Sequence, residues 1–267
     1  DIDENELSRN IKDDEKKYHM DAKDFMVQLL SEDIPDYNEW KLKCLEAKCL
    51  LDNYDQLEGN KVVEKISDLL PENPIVAIDV GQNQCWSAQS LLLKGNKGRI
   101  LISGGYGTMG CGLPYAIGAA VSNKGSNVYC IAGDGGFQMN IQELEVLKRD
   151  SLPIKIFILN NQVLGKISET QYNNLNKRYA QTTVTSGYTV PDFHKIANAY
   201  GIKAATINSF EELDNYSEWI CDKEPCLFNI NLSNESFLIP KIKFETGLIE
   251  PRLPDDVFES AANILRN

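Results

Sequence analysis

Asn127-Val-Tyr-Cys-Ile-Ala-Gly-Asp-Gly-Gly136 and Ile154-Lys-Ile-Phe-Ile-Leu-Asn-Asn161 decide how this chain folds. Each opens on a short run of β-branched and aromatic residues, too brief for a typical helix, and closes on turn residues. Such runs read as buried strands of a parallel sheet. An open parallel sheet binds its ligand beyond the carboxyl ends of its strands, where Gly133-Asp-Gly-Gly136 and Asn160-Asn161 both fall. Asp134 and Asn161, 27 positions apart, then offer one carboxylate and one amide oxygen on neighbouring strand ends. Magnesium suits such a pair, because it takes near-octahedral oxygen ligands and bridges a few protein groups to phosphates. The glycines let phosphate approach backbone N–H groups. A helix is expected over 140–149, capped by Asn140 with Glu143 in capping-box position, and with Ile141, Leu144 and Leu147 on one face.

Outward from this pair, helix and strand patterns alternate, which predicts an α/β fold: a doubly wound parallel sheet with helices on both faces. Further strands are expected at 75–79, 99–103, 203–207 and 225–231, and helices at 61–70, 84–92, 112–122, 191–200 and 209–221. Residues 162–190 are polar with little periodicity and read as an active-site loop. Toward the amino terminus, Asp1-Ile-Asp-Glu-Asn-Glu-Leu7 reads as the end of a strand, followed by an acidic helix and the apolar turn Phe25-Met-Val-Gln-Leu-Leu30. A helix from Asp36 to about Gln56 carries Trp40, Cys44, Ala47, Leu51 and Tyr54 as one apolar stripe, suited to packing on the domain that follows. Residues 240–254 read as extended and 255–266 as a last helix.

Charge and composition narrow the function classes. The formal charge is −12, and residues 1–60 hold 17 acids against 8 bases while the remainder holds 22 against 19. An acidic balance repels nucleic-acid backbones and anionic lipid, so neither is expected as a partner. No apolar run approaches the length of a membrane span and the amino terminus is too charged for a signal peptide, which points to the cytoplasm. Seven cysteines, at 44, 49, 85, 111, 130, 221 and 226, form no CxxC pair. Their odd number argues against a complete disulfide framework, and most are expected to be reduced and buried. With His19 and His194 alone, a zinc site or a Ser/His/Asp machine has little material. His194 stands near a helix start and reads as a surface or packing residue.

A competing motif is present. Gly105-Tyr-Gly-Thr-Met-Gly110 satisfies GxGxxG between an apolar strand and a helix, and Asp134 follows Gly110 by 24 residues. That imitates the fingerprint of a nicotinamide-dependent oxidoreductase, in which the acid holds a ribose hydroxyl. The flanking Gly133 and Gly135 suit phosphate approach better than ribose recognition, and a dinucleotide fold has no use for the paired asparagines.

The order Gly133-Asp-Gly135, 24 intervening residues, then Asn160-Asn161 resembles the signature of thiamine diphosphate enzymes. With Asp79-Val-Gly-Gln-Asn-Gln84 and Gly104-Gly-Tyr-Gly-Thr-Met-Gly-Cys-Gly-Leu-Pro114, the chain is most similar to the acetolactate synthase-like branch of the pyruvate oxidase and decarboxylase family, over roughly residues 60–240. The resemblance implies thiamine diphosphate and Mg2+ as cofactors, and a lyase or transferase that decarboxylates a 2-oxo acid or acts as a carboligase. It implies that Asp134 and Asn161 bind Mg2+ through side-chain oxygens and Val163 through its backbone carbonyl. Gly135 and Gly136 would offer N–H groups to the diphosphate, and Gln82 matches a diphosphate-contacting glutamine. Asn83 stands where acetolactate synthases usually carry histidine. Gly81, Gly133, Leu164 and Gly165 complete the cofactor-binding set. Gly107 matches the carbonyl that holds the aminopyrimidine, and Met109 the apolar wedge between the two rings, which brings the pyrimidine amino group against C2 of the thiazolium.

The same resemblance divides the chain into a remnant of a preceding central domain (1–35), a linker helix (36–58) and a thiamine diphosphate and Mg2+-binding domain with a C-terminal extension (59–267). It assigns the essential catalytic glutamate to an amino-terminal domain of a neighbouring subunit, which nothing here matches, so a truncated chain, inactive alone, is expected. A homodimer or homotetramer through the cofactor domains follows. Lys166 and Thr170 stand where acetolactate synthases carry methionine and tryptophan, implying a different acceptor if they line the pocket, or a solvent-facing Lys166 if they do not. A separate subunit of a two-chain thiamine enzyme and a non-catalytic binding or regulatory module are the other readings open at this point.

Overall fold

A computed structural model describes residues 1–10, 13–33, 35–52, 58–235, 237–238, 241–242, 249–250 and 253–266. The chain divides into two compact units, Asp55–Arg252 and a smaller one that gathers Asp1–Tyr54 with Leu253–Asn267. The smaller unit contributes α1 (Glu4–Leu7), α2 (Ala22–Ser31) and α3 (Asn38–Asp52). The larger begins with α4 (Glu58–Leu69), β1 (Ile75–Ile78), α5 (Gln82–Ser90), β2 (Arg99–Ile102), α6 (Gly112–Ser122) and β3 (Val128–Gly133). It continues through α7 (Asp134–Gln138), α8 (Leu144–Arg149), β4 (Ile154–Asn160), α9 (Gly165–Asn174), α10 (Phe193–Ala199), β5 (Lys203–Ile207), α11 (Ser217–Cys221) and β6 (Cys226–Asn231). An antiparallel pair, β7 (Lys241–Ile242) and β8 (Ile249–Glu250), follows, and α12 (Asp255–Arg266) belongs to the smaller unit.

β1 to β6 form one all-parallel sheet in the order β2-β1-β3-β4-β6-β5. Alternate residues of each central strand serve opposite faces. Val76, Ile78, Tyr129, Ile131, Phe157 and Leu159 join the core under α4, while Ala77, Val128, Cys130, Ile154, Ile156 and Ile158 join the core under α6 and α8. Strands covered on both faces need no polar positions, which is why they read as continuous apolar runs. From edge strand β2 the chain crosses back over β1 to β3, so the winding reverses between β1 and β3 and opens a crevice at their carboxyl ends. One residue breaks the apolar pattern: Lys155, fully buried on β4, donates to Asp222 and to the Glu224 carbonyl. Burial works to raise the Asp222 carboxyl, but Lys155 and Lys203 together hold it below its usual range.

The sheet strands fall within a residue of their expected bounds, but several local expectations need correction. Residues 140–149 are not one helix: α7 starts directly at Asp134, a 3-10 turn spans Ile141–Glu143, and α8 follows. Asn140 makes no cap: its Nδ2 donates to the Gly110 carbonyl at 2.7 Å, and its Oδ1 accepts from the Gln142 side chain at 3.3 Å and not from a helix N–H. Residues 162–190 contain α9, whose buried side is made of Ser168, Glu169 and Gln171; polar residues on the inward face erase the apolar period that would have announced it. Residues 209–221 are a 3-10 helix, Phe210–Tyr216, leading into α11.

In the smaller unit, Asp1–Leu7 is no strand end. Asp3 caps α1 by accepting from Asn5 N, and Phe25–Leu30 lie inside α2, which Asp21 caps by accepting from Lys23 N. Of the stripe on α3, Ala47 is buried while Trp40, Cys44 and Leu51 are exposed; Tyr54 lies outside the described residues. Of the expected extended stretch 240–254, the described residues supply β7 and β8. Cys44, Cys85, Cys111, Cys130, Cys221 and Cys226 are free thiols as expected, yet of the seven cysteines only Cys111, Cys130 and Cys226 are buried. Among the described residues no helix is long and apolar enough to cross a membrane.

Candidate functional site

The crevice at the ends of β1, β3 and β4 collects the chemistry. Asp134 follows Gly133 at the end of β3 and is only 2% exposed. Gly135 N donates to its Oδ1 at 2.6 Å, Tyr188 Oη donates to the same oxygen at 2.9 Å, and Gln162 N donates to Oδ2 at 2.7 Å. Burial pushes the Asp134 carboxyl up to about 6 even though these donors favour its charged form. Burial, and then the carboxylate beside it, raise the Tyr188 phenol as well, so Tyr188 remains a donor. Asn161, just past the end of β4, donates Nδ2 to Gln82 Oε1 at 2.9 Å. That leaves its amide oxygen Oδ1 as the side-chain atom able to ligate a cation. The next residue, Gln162, is held at φ 57°, a strained conformation for a side-chain-bearing residue.

β1 supplies a second buried carboxylate. Asp79 accepts from Val80 N at 2.8 Å and Gly110 N at 2.9 Å, and the Cys111 thiol lies 3.7 Å from the same oxygen. Burial raises its carboxyl above the usual range. Asp79 thereby ties the end of β1 to the glycine-rich loop that carries Met109. A Cβ at Gly136 would overlap Asp79 Oδ2, and one at Gly165 would overlap Gln82 Oε1, so both glycines are demanded by close packing around the site. Asn83 pins β1 to β3: its Nδ2 donates to the Asp79 carbonyl at 2.7 Å and approaches the Ile131 carbonyl at 3.5 Å.

Asp134, Asn161, Gln82 and Asn83 line one open cleft, which Asp79 and Tyr188 support from outside its lining. Every site residue named from the sequence lines it except Gly107, which sits at φ 61° on an exposed loop whose neighbour Tyr106 is fully exposed. Lys166 lines the cleft with an exposed side chain, whereas Thr170 turns its Oγ1 back to the Lys166 carbonyl at 3.0 Å. Trp86 also lines it and buries its Nε1 with no hydrogen-bond partner in the protein. His194 is half-buried with Nδ1 3.4 Å from Thr206 Oγ1, a packing role as expected.

Residues 79–230 match the family model of the thiamine pyrophosphate enzyme C-terminal TPP binding domain. The chain belongs to this family. Membership sets aside the nicotinamide reading of Gly105–Gly110 and fixes thiamine diphosphate as the cofactor of the fold. Among relatives of the TPP binding domain, the acetolactate synthase large subunit of Pyropia yezoensis is 43% identical over 155 residues, 58% of this chain and 26% of that one. The acetolactate synthase isozyme 2 large subunit of Escherichia coli (strain K12) is 36% identical over 179 residues, 67% of this chain and 32% of that one. The probable acetolactate synthase large subunit of Methanocaldococcus jannaschii is 35% identical over 269 residues, 94% of this chain and 45% of that one. The chain therefore spans less than half the length of these relatives.

Three participants were not singled out as site residues from the sequence. Asp79 stands inside a quoted motif, but nothing local shows that its carboxylate binds a loop some thirty residues on. Trp86 reads as ordinary helix core. Tyr188 lies in the stretch without periodicity, and its bond to Asp134 spans 54 residues.

Proposed function

We propose that this chain is the diphosphate- and Mg2+-binding part of a thiamine diphosphate-dependent 2-oxo acid decarboxylase or carboligase of the acetolactate synthase kind. The observation that carries this reading is the convergence of Asp134, Asn161 and Gln82 in one glycine-lined cleft at the switch point of the sheet. The donor set fits the metal. A carboxylate oxygen of Asp134, Oδ1 of Asn161 and the backbone carbonyl of Val163 are hard oxygen ligands, and too few to cage an ion, so phosphate and water complete the octahedron. Among the described residues no three His, Cys, Asp or Glu side chains form a metal site of their own, in keeping with a cation that relies on its ligand.

When bound, thiamine diphosphate supplies the thiazolium chemistry by which a 2-oxo acid loses carbon dioxide. The chain's residues bind and orient it. Gly135 and Gly136 would present backbone to the diphosphate, Gln82 would contact it, and Gly81, Gly133, Leu164 and Gly165 line the same cleft. Asn83 holds the strand ends in register. Met109 takes the wedge position, and the contact assigned to the Gly107 carbonyl requires the exposed loop 104–108 to fold over the cleft.

Among the described residues the one acid lining the cleft is Asp134, which is proposed to hold the cation. In the resembling family the carboxyl group for proton transfer to the cofactor comes from another domain, and on that ground this chain alone is proposed to be inactive and to be part of a cytoplasmic homodimer or homotetramer that works as a lyase or transferase. Isothermal calorimetry with thiamine diphosphate tests the binding: uptake requires Mg2+ and disappears in Asp134→Ala. Absence of heat, or binding indifferent to that substitution, would support a non-catalytic module instead. Turnover of a 2-oxo acid by this chain with Mg2+ and cofactor would contradict its inactivity.

A further inference from the structure

Tyr188 belongs to no motif, yet it reaches the carboxylate on which the metal reading rests. Its hydroxyl and Gly135 N both donate to Asp134 Oδ1, at 2.9 and 2.6 Å. Two donors at those distances engage both lone pairs of that oxygen. Oδ2 accepts from Gln162 N at 2.7 Å, and the Asn161 backbone N–H also donates to this carboxylate; with Oδ1 held by its two close donors, Oδ2 is the oxygen better placed to meet a cation.

The segment that carries Tyr188 is built to hold it there. After α9 the chain returns past its own helix: Thr182 O accepts from Leu164 N at 2.9 Å, and the buried Thr182 Oγ1 donates to Gln171 Oε1 at 2.6 Å. A 3-10 turn over Val184–Ser186 then closes on itself, with Gln181 N donating to Ser186 O at 3.1 Å and Tyr188 N to Thr183 O at 3.0 Å. Gly187, at φ 104°, makes the reversal beside Tyr188, whose hydroxyl reaches Asp134. The facing residue makes room for the phenol. A Cβ at position 135 would stand 2.9 Å from the Tyr188 hydroxyl and 2.7 Å from Leu164 Cδ2, so glycine there accommodates the tyrosine whatever it does for phosphate.

We propose that Tyr188 is a positioning residue for the divalent cation: its hydroxyl fixes Oδ1 of Asp134 so that Oδ2 is presented to the metal. This rests on the reading of Asp134 as a metal ligand. Hydrogen-bond partners that orient a ligating carboxylate set metal affinity, and their loss costs about ten- to a hundredfold. The dependence falls hardest on Mg2+, which demands near-ideal octahedral geometry, and least on Ca2+, which tolerates irregular shells.

The test is calorimetric titration of the full chain with MgCl2, and separately with CaCl2, at saturating thiamine diphosphate, comparing wild type with Tyr188→Phe. The ring is kept and only the hydroxyl is lost. The expected result is a rise of about tenfold or more in the Mg2+ dissociation constant and a clearly smaller rise for Ca2+. An unchanged Mg2+ constant overturns the role of Tyr188 alone. Equal losses for both cations, together with a lowered melting temperature of the ligand-free chain, also overturn it and make the hydroxyl a packing group. A wild-type chain that takes up no cofactor with Mg2+ overturns the metal reading itself.

Discussion

Asp134 shows how much a single residue can report. In the unfolded chain its carboxyl titrates near 4, whereas burial in the ligand-free fold pushes it up to about 6. The folded form thus holds a proton that the unfolded form has released between those values, and its stability declines as pH rises from about 4 to about 6. Below about 4 both forms are protonated and the penalty is absent; above about 6 it is present in full, on the order of 3 kcal/mol. Other carboxyls shift too, so the quantity to measure is the difference in unfolding free energy between wild type and Asp134→Asn, both ligand-free. We expect that difference to move against wild type by a few kcal/mol from pH 4 to pH 7; a flat difference would sink the assignment. Asp134 and Asn161 were legible in the sequence because glycines and asparagines at strand ends betray what the backbone there must do. Tyr188 was not, since a hydroxyl that reaches across 54 residues leaves no periodic or spacing signal. Asn140 misled for the complementary reason: its place before Glu143 suited a cap, but its side chain is turned to the Gly110 carbonyl and to Gln142, partners that the capping pattern does not show.

At the scale of elements, the loop between β2 and α6 depends on one strut from β1. Asp79→Ala removes the acceptor of the Val80 and Gly110 N–H groups, and stranding buried donors costs about 1–3 kcal/mol each. Urea unfolding is expected to show a loss of about 2–4 kcal/mol, with weaker cofactor binding because Met109 rides on the freed loop. A loss under about 0.5 kcal/mol would mean that water replaces the carboxylate and that the strut is dispensable. On β4, Phe157 is fully buried and stacks on Phe228 with ring centroids 5.2 Å apart. Phe157→Ala is expected to cost about 3–5 kcal/mol, whereas Lys166→Ala, on the exposed rim, leaves the unfolding midpoint unchanged. The strands were readable almost to the residue because both of their faces are apolar. α9 was invisible because its inward face carries Ser168, Glu169 and Gln171, of which Gln171 holds the segment leading to Tyr188 through Thr182. Lys155 sat unremarked inside an apolar run, since its partner Asp222 is 67 positions away.

For the whole molecule, the site and the chain ends belong to different units. Every residue lining the cleft falls within Asp55–Arg252, while the smaller unit draws on both termini. That grouping of residues 253–267 with 1–54 is a long-range fact that no local pattern carries. The smaller unit is also the weaker by composition of its core: α2 buries no residue, and Met26, Val27, Leu30 and Trp40 are exposed. Helices of that length have little stability without burial of an apolar face, so this unit should melt first. A ligand stabilises only the unit that binds it, by about 2.7 kcal/mol at a hundredfold excess over its dissociation constant. For a unit of roughly 200 residues that is about 5–10 °C. Scanning calorimetry with Mg2+ and thiamine diphosphate should therefore raise the upper transition by that amount and leave the lower one in place, with neither moving in Asp134→Ala. Were both to shift together, the units would have to unfold as one; were the lower to shift alone, the cofactor would bind where the cleft is not.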